Sequence, residues 1–343
     1  MALTDFIAID LPIIQAPMAG VQNWELAVAV ARGGGLGSIP CGMLSIEQII
    51  RETEQFTRHS DKPYNLNFFC HAMPEKNAGQ LAQWRELLQP FYRDAGINES
   101  PTTGTLRMPF SESIADAIEA FKPPVISFHF GLPSPALVKR VKSWGTRVFG
   151  CATTVAEGVW LQEHGADAVI AQGLEAGGHR GIFLSDDLTA QLATLPLVSQ
   201  LVDCLTIPVV ATGAVASARD VKAMLQLGAC GVQVGTSYLL CDEAKTSTAH
   251  RNALKDSQAS TAITNLLSGR PARGIRNRLM RTLGDIHTCA PEFPYASIAL
   301  APLRQYAEAK NLGDFSPLWA GQNRSGCRAV SATQLTQALW TGE

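Results

Sequence analysis

The chain has 343 residues, of which 46% are hydrophobic and 17% are charged, and its formal net charge at pH 7 is −2. A composition this apolar can form a large buried core, which excludes an intrinsically disordered chain. The near-neutral charge provides no basic field for a nucleic-acid backbone, so we expect no nucleic-acid partner.

Cysteine use and the N-terminal stretch indicate the cellular compartment. The eight cysteines include no CxxC pair and mostly lie in apolar runs, which is typical of reduced core residues in a cytoplasmic protein. No grouping of His, Asp or Glu has metal-ligand spacing, so no metal is predicted. Asp5 and Asp10 interrupt the first apolar stretch, and no apolar run is long enough to span a bilayer. We therefore expect neither a signal peptide nor a membrane partner.

Short runs rich in Val, Ile and aromatic residues recur along the chain, each followed by a turn signal and a helix-like segment. The predicted strands are 13–15, 36–39, 64–69, 125–130, 147–151, 168–172, 208–212 and 231–235. Helices are predicted between them at 25–32, 45–57, 135–143, 154–163 and 217–227. The strands are apolar at nearly every position, which is typical of a parallel sheet covered on both faces. We predict an α/β fold, a (β/α)8 TIM barrel; a doubly wound open sheet is the alternative.

Two stretches do not fit this repeat. Residues 71–120 insert a helix-forming segment at 80–88 and a TTGT turn at 102–105. Residues 242–312 follow the eighth strand, and we interpret them as a small helical lid subdomain over the mouth of the barrel. The predicted division is a barrel of residues 1–241 and 313–343 with a lid and substrate subdomain of residues 242–312.

Unusual residues follow the first, third and fourth strands, at the end of a barrel where functional groups collect. Ala16, Pro17 and Met18 form a rigid, apolar and polarizable shelf for an aromatic cofactor, or else an ordinary proline-containing turn. The amide of Asn67 can bind a heteroaromatic ring, or it caps a strand. His129 is either a ligand-facing group or a buried structural histidine.

The sixth strand leads into the run AQGLEAGGHRG at residues 171–181. Gln172 ends the strand, and the glycines that follow, including Gly177 and Gly178, allow backbone amides to approach a flat or anionic ligand. His179 is the one side chain in the run that exchanges a proton near pH 7. Ordinary turn chemistry also explains a glycine-rich loop, so the other strand ends must decide between the two interpretations.

Glycine-containing turns follow the seventh and eighth strands, where barrels bind phosphate through backbone amides and a Ser or Thr hydroxyl. No P-loop lysine is present, so the site suits a single terminal phosphate. The ligand implied is a flat heteroaromatic group with a phosphate tail, and FMN fits this description. The cofactor contacts expected at these turns are Gly213, Ala214, Gln233, Val234, Gly235 and Thr236.

Together these motifs resemble the nitronate monooxygenases, formerly called 2-nitropropane dioxygenases, and in particular the class that contains SFHFG. The matching segments extend from about residue 11 to residue 322 and are QAPMAG, NFF, SFHFG, GCATT, AQGLEAGGHRG, VVATGAV, GVQVGTSYL and LWAGQ. The resemblance implies a cytoplasmic, FMN-dependent (β/α)8 barrel that oxidises alkyl nitronates with O2 to carbonyl compounds and releases nitrite, a detoxification. Propionate 3-nitronate is the characteristic substrate of this class, and a homodimer is compatible with the sequence.

The resemblance also assigns roles to individual residues. It implies that His179 is catalytic or orients the substrate and that His129 lies near the substrate. The positions assigned to the flavin are Asn67, Gln172 and Gly178 and, for its phosphate, Gly213, Gly235 and Thr236.

The substrate is already an anion, so the enzyme needs a positive or hydrogen-bonding group to hold it. We assign this role to His179, aided by Arg180 or by a residue of the lid. The sequence leaves open whether the carboxylate of an acid-derived substrate meets Arg180, a lid arginine such as Arg273, or Tyr295. The sequence departs from the commonest family pattern at 19–22 and in the lid at 294–297, which weakens the assignment of the substrate more than that of the flavin.

Two other functions fit parts of the sequence. Flavin-dependent enoyl-acyl-carrier-protein reductases carry a very similar EAGGH run but use NAD(P)H, and SFHFG and LWAGQ favour the nitronate monooxygenases over them. A flavin-binding protein without catalytic activity is the second alternative.

Overall fold

The strands and helices are those of a computed structural model, which describes residues 2–98, 101, 104 and 106–342. In chain order, the strands within these residues are β1 (Ile13–Gln15), β2 (Gly37–Pro40), β3 (Tyr64–Phe69), β4 (Val125–His129), β5 (Arg147–Ala152), β6 (Ala168–Gln172), β7 (Gly178–His179), β8 (Val209–Thr212), β9 (Gly231–Val234), β10 (Thr261–Thr264) and β11 (Ala272–Ile275). All except β7, β10 and β11 belong to one parallel sheet. Each strand of this sheet lies within one residue of its predicted bounds.

The parallel sheet closes on itself. Its strands pair in the order β1, β9, β8, β6, β5, β4, β3, β2, so β1 and β2 stand at its two ends. There the N–H of Gln15 donates to the carbonyl oxygen of Leu36 at 2.9 Å, and the N–H of Leu36 donates to that of Ile13 at 2.9 Å. These bonds join the two ends, and the predicted (β/α)8 barrel is confirmed in preference to an open sheet.

Helices surround the barrel and build the segments outside it. The described helices are α1 (Leu3–Ile7), α2 (Trp24–Arg32), α3 (Ile46–His59), α4 (Ala78–Ala95), α5 (Glu112–Ile118), α6 (Pro135–Ser143), α7 (Val155–Glu163), α8 (Thr194–Cys204), α9 (Ala218–Gln226), α10 (Thr248–Lys255), α11 (Arg278–Leu283), α12 (Ala296–Ala309) and α13 (Ala332–Thr341). Within the part of the chain that the structure describes, no helix is both long and apolar enough to cross a bilayer.

Helices α1 and α13 complete the barrel from the two ends of the chain. Leu3 and Ile7 of α1 join an apolar cluster with Phe149 and other strand residues. On α13, Thr333 donates to the carbonyl oxygen of Ala29 on α2 at 2.7 Å. The last helix therefore packs beside the first barrel helix, after the chain has left the barrel at residues 242–312.

Helix α4 runs from a cap at Asn77, whose Oδ1 accepts from the N–H of Gln80 at 3.0 Å, to Ala95. It is longer than the predicted helix at 80–88, because it continues past Pro90. Its buried face shares one apolar core with residues of β10, α11 and α12. Helix α4 of the 71–120 insertion and the 242–312 segment thus share one packed core. Of the predicted turn at 102–105, residues 102, 103 and 105 lie outside the described residues.

The sequence predicts a helical subdomain at residues 242–312, but the segment also contains strands. Strands β10 and β11 pair antiparallel within it, and β11 also pairs antiparallel with β7 from the glycine-rich run. These strands are short, and the third member of their sheet lies far away in the sequence, so local periodicity does not reveal them.

Trp84→Ala tests the shared core of α4 and the 242–312 segment. Trp84 is completely buried, and its Nε1–H donates to the carbonyl oxygen of Ala296 at 3.1 Å. We expect the free energy of unfolding to fall by about 3–5 kcal/mol, because the truncation leaves a cavity and a carbonyl without its donor. Denaturant titration measures this change.

Trp340→Ala is the matched control, because Trp340 is 38% exposed on α13. Its effect should stay within about 0.5 kcal/mol. Equal losses in the two variants would show that Trp84 does not hold the two segments together.

Candidate active site

A cavity of about 400 Å³ opens at the carboxyl ends of the barrel strands. The predicted cofactor and substrate residues that line it are Ala16, Pro17, Met18, Asn67, His129, Gln172, Gly177, Gly178, His179, Gly213, Ala214, Gln233, Gly235 and Thr236. Closure of the barrel thus brings together the ends of six strands. Among the described residues, no group of His, Cys, Asp and Glu side chains is placed to hold a metal ion.

Two predicted contacts do not line this cavity. Val234 is 1% exposed in the apolar core, since side chains alternate along β9 and Gln233 takes the cavity side. Tyr295 lies beside a separate cavity, and its hydroxyl donates to the carbonyl oxygen of Pro74 at 3.3 Å. The structure therefore gives no support to a cofactor contact of Val234 or a substrate contact of Tyr295.

Arg180 is completely buried inside residues 172–181, which we call the histidine loop. Nε donates to Oε1 of Gln191 at 2.7 Å, and Nη1 donates to the carbonyl oxygen of Ala176 at 3.2 Å. Nη2 donates to the carbonyl oxygens of Gln172 and Gly173 at 3.1 and 2.8 Å. Burial lowers the pKa of Arg180 to about 10, so it stays charged at neutral pH. The structure therefore gives no support to the predicted contact of Arg180 with the substrate, because its donors bind Gln191 and the loop's own backbone.

Gln172 and His129 fix the backbone of the histidine loop. Nε2 of Gln172 and Nε2 of His129 both donate to the carbonyl oxygen of His179, at 2.9 and 3.1 Å. Oε1 of Gln172 accepts from the N–H of Gly181 at 2.8 Å. Because a carbonyl oxygen only accepts, His129 must carry its proton on Nε2. Both side chains line the cavity and also set the position of His179.

The histidine loop is also held from the 242–312 segment. His179 lies on β7, which pairs with β11, and its Nε2 is 2.9 Å from Oγ of Ser268. On the other side, a Cβ at Gly177 would lie 2.6 Å from the backbone nitrogen of Gly321 in the LWAGQ motif. Only glycine permits so close an approach at position 177. The loop is therefore clamped between two segments that lie outside the barrel strands.

His179 and His129 are uncharged near neutral pH. Burial lowers the pKa of His179 well below its usual value, and the nearby charge of Arg107 lowers it further. Burial likewise lowers the pKa of His129 to about 3. His179 can therefore hold an anion through a hydrogen bond, whereas the positive charge of a protonated histidine is not available at neutral pH.

Arg107 and Trp319 line the cavity, and sequence reasoning missed both. The ring centroid of Trp319 lies 5.4 Å from that of His179. The sequence contains a signal for Trp319, because it belongs to the LWAGQ motif on which the family resemblance partly rests. The resemblance assigned no role to Trp319 itself. Arg107 follows the 102–105 turn, where no periodic pattern indicates which residues face inward. Only the packing of the insertion against the barrel identifies it.

Backbone amides form another part of the cavity wall. Gly213, Ala214, Gly235 and Thr236 lie in its wall, and none of their N–H groups donates to another described residue. Gly213 and Ala214 have φ values of 125° and 59°, so the chain turns sharply as it leaves β8. Oε1 of Gln233 is buried without a partner among the described residues. Four donors and one acceptor are therefore available to a polar ligand.

His71 is a further buried histidine close to this site. It is 5% exposed, and its ring centroid lies 4.7 Å from that of Phe293. Neither ring nitrogen has a hydrogen-bond partner among the residues described. Burial, followed by the charge of Arg270, lowers the pKa of His71 to about 4. The folded chain thus keeps His71 uncharged at a pH where the unfolded chain protonates it.

His71→Leu should weaken the dependence of stability on pH. The pKa of His71 is about 6.5 in the unfolded chain and about 4 in the folded chain. Between these two pH values, the imidazole is protonated in the unfolded state and uncharged in the folded state. The free energy of unfolding therefore falls as the pH falls through this window. Removing His71 should lower the slope by about 1.4 kcal/mol per pH unit in denaturant titrations between these limits. Equal slopes for the two proteins would contradict the burial of an uncharged His71.

Comparisons with known proteins agree on one family. A family model described as nitronate monooxygenase matches residues 1–342. The nitronate monooxygenase of Pseudomonas aeruginosa is 38% identical, over 98% of this chain and 97% of that protein. A probable nitronate monooxygenase of Bacillus subtilis is 36% identical, over 96% of this chain and 94% of that protein.

Solved structures agree with this result. The nitroalkane oxidase of Streptomyces ansochromogenes superimposes with a TM-score of 0.90 at 34% identity, covering 99% of this chain and 96% of that one. FabK of Thermotoga maritima, at 23% identity and a TM-score of 0.71 over 98% and 94% of the two chains, shows the shared fold alone. The chain belongs to the nitronate monooxygenase family of oxidoreductases.

Proposed function

We propose that this chain binds FMN in the barrel cavity and uses it to oxidise propionate 3-nitronate and related alkyl nitronates with O2, forming carbonyl compounds and nitrite. The observation that carries the proposal is one cavity whose wall contains four available amides and an uncharged His179. The residues present fit FMN at both its phosphate and its ring.

The phosphate of FMN fits the turns after β8 and β9. The amides of Gly213, Ala214, Gly235 and Thr236 would donate to its oxygens, as backbone N–H groups do at phosphate sites of barrels. Oγ1 of Thr236 already accepts from the N–H of Gly321 at 2.9 Å, so its own hydrogen is free to donate to an anion.

The flavin ring fits the shelf at residues 16–18. The N–H of Met18 donates to Oε1 of Gln22 at 2.7 Å, and Nε2 of Gln22 donates to the carbonyl oxygen of Ser38 at 2.6 Å. Gln22, in the stretch that departs from the commonest family pattern, thus fixes the shelf. Asn67 uses Nδ2 to donate to Oγ of Ser127 at 2.9 Å. Its Oδ1 is the atom that remains to accept from a ring N–H.

When bound, FMN supplies the ring that accepts electrons from the nitronate. The protein must hold the nitronate against that ring and exclude water. His179 is placed for this role, because its Nδ1 has no partner among the described residues and its Nε2 meets Oγ of Ser268.

Ser268 determines which tautomer His179 adopts. Its hydroxyl has a single hydrogen and two acceptors within reach, Nε2 of His179 at 2.9 Å and the carbonyl oxygen of Arg270 at 3.1 Å. Donation to Nε2 leaves the ring proton on Nδ1, where it can be donated to an anion. Donation to Arg270 leaves Nδ1 as an acceptor. An anionic nitronate selects the first arrangement, in which His179 is an anchor and not a base.

Other properties of the chain remain predictions. These are the use of O2, a homodimeric assembly, a cytoplasmic location and the movement of residues 242–312 as a lid. Since β11 pairs with β7, any opening of that segment has to separate it from His179 or carry the histidine loop along.

His179→Asn tests the role of the histidine. We expect FMN to remain bound, because the phosphate amides are untouched, and kcat/KM for propionate 3-nitronate to fall at least about 10²-fold. An oxygen electrode measures the rate, and the visible spectrum reports the bound flavin.

The matched control is His59→Asn, since His59 is exposed at the end of α3. It should oxidise the substrate at the original rate. Oxygen uptake that is unchanged in the His179 variant would remove His179 from the mechanism. If the original protein neither binds FMN nor takes up oxygen with a nitronate, the proposed function is wrong.

Thr236→Val tests the phosphate site with two ligands. Valine has the shape of threonine without its hydroxyl, so the Kd for FMN should rise about 5- to 10-fold through loss of one hydrogen bond to the phosphate. Riboflavin lacks the phosphate, and its Kd should change much less. Flavin fluorescence during titration of the apoprotein gives both constants. Equal changes for FMN and riboflavin would place the phosphate away from Thr236.

A further inference from the structure

The cations of the cavity differ in whether they have an acidic partner. Arg107, Lys245 and Arg304 all line it. Lys245 forms an ion pair with Glu25, and Nε of Arg304 lies 2.7 Å from Oε1 of Glu308. Arg107 has no carboxylate within 4.0 Å in the part of the chain that the structure describes.

The histidines of the cavity do not add positive charge. His129, His179 and His250 line it, and burial lowers the pKa of each. Arg107 is thus the one cation in the described wall whose charge is not balanced by an acidic group. A half-buried guanidinium in this state is a binding site for an anion.

The guanidinium of Arg107 makes few contacts with other groups of the protein. Nη1 donates to Oγ of Ser297 at 3.3 Å, and the guanidinium carbon lies 5.6 Å from the ring centroid of Phe293. A guanidinium has five N–H donors, so most of them remain for a ligand. The Ser297 and Phe293 contacts hold the group in place without neutralising it.

Arg107 and His179 flank the same aromatic ring. The His179 ring centroid lies 5.5 Å from that of Phe293, which is close to the separation between Phe293 and Arg107. A substrate whose reacting end meets His179 therefore needs only a short chain to bring a second group to Arg107. Arg180, which the sequence predicts at the substrate, instead donates to the side chain of Gln191 and to the backbone of the histidine loop.

We propose that Arg107 binds a carboxylate at the far end of the substrate and so selects nitronates that carry a second acidic group over simple alkyl nitronates. This inference rests on the proposed function. A planar carboxylate matches the N–H pairs of a guanidinium and supplies the negative charge that the protein does not provide. Arg107 is then a residue that determines specificity, while His179 holds the reacting end.

The test compares propionate 3-nitronate with propyl 1-nitronate, which has the same carbon chain without the carboxylate. Arg107→Met should lower kcat/KM for propionate 3-nitronate about 10- to 100-fold, mainly through KM, as expected for loss of a hydrogen-bonded charge. The value for propyl 1-nitronate should change less than about 3-fold. Arg107→Lys should restore part of the preference, because it keeps the charge without the fork of donors.

A control and a binding measurement separate the outcomes. Arg276→Met removes an exposed arginine that pairs with Asp285 outside the cavity, and it should leave both substrates unaffected. Succinate has an anionic group at both ends, and butyrate at one. Calorimetry should therefore show that the original protein prefers succinate and that Arg107→Met loses the preference.

Equal losses for both nitronates, or no loss for either, would overturn the role of Arg107 while leaving the nitronate oxidation intact. The same holds if succinate binding is unchanged in Arg107→Met. If the original protein oxidises neither nitronate, the proposed function fails instead, and the succinate titration alone then decides whether Arg107 binds carboxylates.

Discussion

The buried guanidinium of Arg180 is the interaction on which the site depends. It lies inside the histidine loop without a carboxylate partner among the described residues, and its charge is solvated by backbone carbonyls and the amide of Gln191. A buried charge is tolerated only when its hydrogen bonds are complete. The carbonyl groups of Gln172, Gly173 and Ala176 must therefore all point toward the guanidinium of Arg180. This restricts the conformation of the loop and places His179 in the cavity wall.

Around this loop the molecule divides its tasks between two kinds of structure. The barrel strands end in amides, glycines and side-chain carbonyls, which suit an uncharged ring and a phosphate. The segments outside the barrel supply Arg107, Ser268 and Trp319, which surround His179. The sheet of β10, β11 and β7 joins the two parts. The structure therefore couples the position of the segments outside the barrel to the position of His179.

The barrel was predictable because its signals are local. Each strand is a short apolar run with a turn behind it, and α3 begins where Ser45 and Gln48 form a capping box. Most of the residues that line the cavity were predictable for the same reason, since a parallel barrel places every strand end at one mouth. The sequence did not show that the side chain of Val234 faces the core, on the opposite side of the strand from Gln233. Nor did it show the direction of Arg180, because a charged residue beside a histidine can bind backbone carbonyls as readily as it binds a ligand.

By itself, the sequence determined the alternation of strands and helices, the glycine-rich histidine loop and the glycine-containing turns after β8 and β9, because hydrophobic periodicity and glycine placement act over a few residues. Only the tertiary structure decided the direction of each polar side chain, the charge state of His179, and the arrival of Arg107 beside it. These depend on burial and on contacts between distant segments. Desolvation removes the charge of a histidine. Packing decides whether a carboxylate lies close enough to a guanidinium to neutralise it, and so whether the guanidinium can bind an anionic ligand.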